Sequence, residues 1–139
     1  MKMLKIVLVV SLGLVLCSAA IFSKASFQKE IDKLFAGILE GEVDKSYDEF
    51  FANTHLESKK QAVQLIKEQT LNSFSLYGKA INYEFIKQQK YGSSVIRLVY
   101  IIKFEQLPVT YEFYFYKAAS DWKLTNISFS DQYLLLADK

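Results

Sequence analysis

The sequence predicts one α+β domain, three N-terminal helices packed on a curved four-stranded antiparallel meander sheet. Two observations predict it. Apolar residues recur at helical spacing as far as residue 77 and at every second position from residue 79 onward. The segments in the second half are joined by short turns, which force neighbouring strands to run antiparallel. The chain of 139 residues allows one ordinary domain. Its aromatic share of 15% supplies large side chains for a core.

The first helix is expected from Ser26, a residue type suited to N-capping. Phe27, Ile31, Leu34, Phe35 and Ile38 form its apolar stripe, and Gly41 supplies the left-handed turn that ends it. Val43, Tyr47, Phe50 and Phe51 share a face of a second, shorter helix, with Asp44, Asp48 and Glu49 toward water and Asn53 at its end. Thr54-His55-Leu56-Glu57 has the pattern of a capping box and is expected to start the third helix. Leu56, Ala62, Val63, Ile66, Thr70 and Phe74 would be its buried side, and Lys59, Lys60, Lys67 and Glu68 its solvated side. Tyr77-Gly78 ends the helical pattern.

In the first strand Ile81, Tyr83 and Phe85 alternate with Asn82, Glu84 and Ile86. Tyr91-Gly92-Ser93 is a turn. The second strand, 94–105, puts Ile96, Leu98, Tyr100, Ile102 and Phe104 on one face and Val95, Arg97, Val99, Ile101 and Lys103 on the other. Pro108 follows in the next turn, where it costs no ladder bond. The third strand covers 109–116 and the fourth 122–129, where the alternation changes phase and asks for a β-bulge near Thr125-Asn126.

Residues 1–25 are expected to be a cleaved signal peptide, leaving a domain of residues 26–139 and an exported, periplasmic or secreted product. Met1–Lys5 is basic, Ile6–Leu16 is a nearly unbroken apolar run, and small residues follow at Ser18, Ala20, Ser23 and Ala25. The favoured cut is after Ala25, with Ala20 as the alternative. Two other outcomes remain open: an uncleaved membrane anchor over Ile6–Phe22, and lipidation of Cys17. Removing Lys2, Lys5 and Lys24 from the 17 basic residues leaves one fewer than the 15 acidic ones. With Arg97 as the only arginine, such a domain has no electrostatic footprint for nucleic acid and no polybasic patch for a membrane surface. Cys17 is the only cysteine and His55 the only histidine, so neither a disulfide framework nor a His or Cys metal cluster is expected, and no cofactor is implied.

The order of helices and strands resembles the nuclear transport factor 2-like superfamily, the cystatin-like cone fold, and its small exported bacterial members of unassigned activity. The resemblance spans roughly residues 27–132. It rests on the two-helix start bounded by Gly41, on Tyr77-Gly78 entering the first strand, and on Val95-Ile96-Arg97-Leu98-Val99-Tyr100. Phe113-Tyr114-Phe115-Tyr116-Lys117 and Trp122-Lys123-Leu124-Thr125-Asn126 complete it. The resemblance implies a cone whose helices close the concave side of the sheet. The superfamily includes isomerases, cyclases, dehydratases, immunity factors and transport adaptors, so the fold does not give the function. Many larger members insert a hairpin before the third helix, for which residues 53–57 are too few.

Single acids and His55 make weak catalytic candidates. Asp44 and Asp48 share a helical face that points to solvent, and Glu84 and Glu112 fall opposite the more apolar strand faces. Asn126-Ile127-Ser128 matches a glycosylation acceptor inside a predicted strand. The candidates for lining a pocket are Tyr47, His55, Tyr83, Phe85, Tyr100, Phe113 and Phe115, which would suit a small apolar ligand. The other sheet face, with Val95, Arg97, Val99, Ile101, Glu112, Tyr114 and Tyr116, is too apolar for a fully wet surface. It suggests a cover, most simply a second copy, and Arg97 is placed to pair with Glu112 across strands. The leading expectation is a non-catalytic exported module that binds a small apolar ligand or a protein partner. The alternatives are a small enzyme with its site inside the cone and an accessory subunit of an envelope complex.

Overall fold

The computed structural model describes residues 18–52 and 54–136. The basic start, the apolar run and Cys17 lie outside the described residues, as does Asn53. The elements are α1 (Ser18–Leu39), α2 (Val43–Phe51), α3 (Lys60–Tyr77), β1 (Ala80–Tyr91), β2 (Val95–Phe104), β3 (Pro108–Lys117) and β4 (Trp122–Ser130). Short 3-10 turns lie at His55–Ser58 and Tyr133–Leu136. The α+β class, the three helices and the four-stranded antiparallel sheet in the order β1-β2-β3-β4 are as expected. Among the described residues, no helix is long and apolar enough to cross a membrane.

Gly41 ends α1 with φ +84°, and the amides of Gly41 and Glu42 donate to the carbonyls of Ile38 and Gly37, the paired bonds of a Schellman motif. Ile31, Leu34, Phe35 and Ile38 are buried, as their spacing demands. Gly37 lets α1 and α2 touch: a Cβ there would stand 1.9 Å from Ser46 Oγ. The helical start is a correction, because Ser26 lies inside α1 and caps nothing.

The third helix is also corrected. Thr54 makes no side-chain cap; its hydroxyl donates to the Phe51 carbonyl at 2.7 Å and closes the end of α2. His55–Ser58 is a 3-10 turn with Leu56 buried, and α3 begins only at Lys60. Ala62 is exposed, whereas Lys67 is buried beside Ile66 and Thr70. The far end of α3 is tied to the sheet, with the Gln106 amide donating to the Tyr77 carbonyl and Tyr77 Oη donating to Asp131 at 2.5 Å.

The helices cover one face of the sheet, here the inner face. Leu98, Tyr100, Ile102 and Phe104 of β2 and Val109, Tyr111, Phe113 and Phe115 of β3 join the helix stripes in one core. Val99 and Arg97 are buried on the opposite, outer face and stand apart from that core. The bulge expected in β4 is present: Tyr114 pairs with Asn126 and Phe115 with Leu124, leaving Thr125 as the extra residue. Two further bulges in β1 alter the expected alternation. Ile81 and Ile86 drop out of the ladder and are exposed, while Tyr83 and Phe85 stay in register with Ile102 and Tyr100.

Candidate functional site

The expected pocket residues separate into three environments. Tyr47, Tyr100, Phe113 and Phe115 are buried in the core. Phe115 stacks on Phe27 at 4.1 Å, and Tyr100 meets Phe113 edge-on at 5.9 Å. Tyr83 is half-buried and donates to Asp32 Oδ1 at 3.0 Å, and Phe85 stays exposed against Tyr100. His55 is exposed on its turn, and its carbonyl accepts from Ser58 Oγ.

Three buried hydroxyls, those of Thr70, Tyr47 and Tyr111, meet in the interior. Thr70 Oγ1 donates to the Ile66 carbonyl at 2.8 Å. Its lone pairs then accept from Tyr47 Oη at 2.9 Å and Tyr111 Oη at 3.3 Å, so every donor is used. Burial holds the Tyr47 phenol well above its ordinary range and pushes Tyr111 up to about 12. These are neutral hydrogen-bonding groups at physiological pH, suited to holding α2, α3 and β3 together.

That arrangement predicts alkaline instability. In the unfolded chain each phenol ionises near 10, while in the fold it keeps its proton, so the native state binds more protons between 10 and the raised value. Stability is fully present below pH 10 and falls above it, by roughly 1.4 kcal/mol per pH unit for each such phenol. Urea unfolding at pH values from 8 to about 12 should show this decline, and Tyr111→Phe should flatten it. An unchanged slope in that variant would refute the assignment.

On the outer face, Arg97 is 3% exposed and bridges three strands. Its Nε donates to Glu112 Oε2 at 2.9 Å and its Nη2 to Glu112 Oε1 at 2.5 Å, a two-pronged pair. Nη1 donates to Gln89 on β1, and Tyr114 Oη donates to Glu112 Oε2 at 2.6 Å. The pairing of Arg97 with Glu112 is as the sequence suggests. Burial and then Glu112 hold the Tyr114 phenol above its ordinary value, and the hydrogen bonds to Glu112 raise that of Arg97. Around this pair, Tyr91, Val95 and Tyr116 lie in one cross-strand row, with both tyrosines exposed and Val95 half-buried. Val99 is buried between its register partners Lys87 and Glu112, and Ile101 and Tyr114 are half-buried. Glu84 also faces outward, paired with Lys103 at 2.6 Å.

Sequence reasoning missed Lys67. It lies on the α3 stripe with Val63, Ile66, Thr70 and Phe74, and its ammonium reaches Asp48 Oδ1 at 2.6 Å and Asp44 Oδ1 at 3.7 Å. Its spacing on that stripe was the available signal. Sequence reasoning also missed a groove between α3 and β4. It holds two adjoining cavities, of about 360 and 290 Å³, that share Gln69 and Phe129. A third cavity of about 210 Å³ between α1 and α2 is rimmed by charges such as Lys33, which pairs with Glu49 at 2.8 Å. None of these three is lined by the expected pocket residues. Among the described residues, no three His, Cys, Asp or Glu side chains come together as a metal site. Compared with family models, curated proteins and solved structures, the chain matches none.

Proposed function

We propose that this chain is an exported, non-catalytic binding module of the nuclear transport factor 2-like cone type, and that its outer sheet face pairs with a second copy. The observation that carries the reading is the Arg97–Glu112 pair, fixed across strands beneath Tyr91, Tyr114 and Tyr116. Tyrosine on a rigid support is among the residue types that dominate protein interfaces, because little side-chain freedom is lost when a partner arrives, and the buried Arg97 supplies that support to the exposed Tyr91 and Tyr116. The inner face offers less to a ligand, since its aromatic rings pack on one another. The bulges in β1 and β4 favour the bend that a cone requires. Export rests on the basic start, the apolar run and the small residues at Ala20 and Ala25.

Four strands about 4.8 Å apart and ten residues long present roughly 600 Å² in plan, at the low end of what a specific dimer buries per partner. The pairing should therefore be weak. Sedimentation velocity of the processed protein at tens of micromolar (~10–50 µM) should show a dimer, and Tyr116→Glu should return it to a monomer while keeping the wild-type unfolding midpoint at about 1 µM, where neither protein is paired. A wild-type monomer over that range would remove the second copy from the reading. Intact mass of the same sample reports the cut after Ala25 or Ala20.

A further inference from the structure

We propose that the groove between α3 and β4 takes an extended apolar segment of a partner polypeptide, added as a fifth strand on the free edge of β4. The site is separate from the outer face and does not depend on the copy interface.

Three features select a strand as the occupant. β4 is an edge of the sheet: the His55–Ser58 turn packs near it, but among the described residues no backbone–backbone hydrogen bond joins it to any element other than β3. A free row of amides and carbonyls is a template for an added strand. Beside that row lie the two cavities, one on either side of Phe129. Leu65 lines the first and Leu76 the second, 54% and 62% exposed, so each cavity has an apolar wall that a partner side chain can cover. Eleven residues of helix rise about 16 Å, which five residues of strand also span. Alternate side chains of a segment lying along β4 thus reach both cavities.

The charges at the two ends fix its direction. Lys59 lines the first cavity and Asp131 the second. β4 runs from Trp122 to Ser130, so it points toward Asp131. A segment added antiparallel, as every strand of this sheet is, starts near Asp131 and finishes near Lys59. The fitting sequence has a basic residue or amino group first, apolar residues at every second place, and an acidic residue or carboxylate last.

The test uses two fluorescein-labelled heptapeptides, Lys-Leu-Thr-Leu-Thr-Leu-Glu and the charge-reversed Glu-Leu-Thr-Leu-Thr-Leu-Lys, titrated with the processed protein. The first should bind saturably in the micromolar range, about tenfold more tightly than the second, and should slow amide exchange in β4. Ala62→Trp fills the first cavity from an exposed helix position and should abolish binding with unchanged unfolding. Lys59→Glu should erase the preference between the peptides, because an acid then stands at both ends of the groove. No saturation by about 1 mM, equal binding of both peptides, or indifference to Ala62→Trp would overturn the proposal. Self-association abolished by Ala62→Trp would also overturn it, since a second copy would then be the occupant. A Tyr116→Glu monomer that still binds the first peptide separates this site from the copy interface.

Discussion

Replacing Arg97 with methionine is expected to cost about 3–5 kcal/mol of stability. The substitution keeps much of the aliphatic length and removes the guanidinium that donates twice to Glu112 and once to Gln89. The Glu112 side chain is only 15% exposed, so its carboxylate cannot regain full hydration in place. Replacing both partners, Arg97→Met with Glu112→Leu, removes the buried charges together and should cost far less than the sum of the single changes. Arg97→Lys should recover little, because an ammonium cannot supply the planar fork that meets both carboxylate oxygens. Urea unfolding of the wild type, Arg97→Met, Glu112→Leu and the double variant measures the coupling. A coupling near zero would mean that water satisfies both groups, and the outer face would then lose its rigid anchor.

The same pair illustrates what could be read in the sequence. Opposite charges on matching phases of adjacent strands were legible because period-two alternation assigns each residue to a face. The stripes of α1 and α2, the Gly41 stop and the Thr125 bulge were legible for the same reason: each is a local pattern with one physical solution. In β1, isoleucines at 81 and 86 suit either a paired or a bulged position, so only the pairing with β2 reveals which residues drop out. Thr54 had the chemistry of a cap, but its hydroxyl found the Phe51 carbonyl first. Lys67 was hidden by its own charge, since the acids that accept it come from α2. The α3–β4 groove depends on how far α3 stands from the edge strand, a tertiary distance with no local signature.

Replacing Phe35 with alanine is expected to cost about 3–5 kcal/mol and to leave a dry cavity. Phe35 is fully buried and lies 5.1 Å from Tyr83, 5.4 Å from both Tyr100 and Tyr111, and 5.8 Å from Phe113, ring centre to ring centre. Each of these rings is also held from behind by its own strand, so little inward relaxation can fill the gap. The loss therefore combines the transfer energy of a phenyl group with the contacts its neighbours forfeit. The void would be lined almost wholly by carbon and close to the size of the ring removed, so benzene should bind it and recover part of the lost stability. Thermal unfolding of Phe35→Ala with and without benzene tests this. A cost below about 1 kcal/mol would mean that water or a ligand already shares the space around Phe35. The inner face would then be a working pocket, and the site of function would move from the sheet's outer surface to its interior.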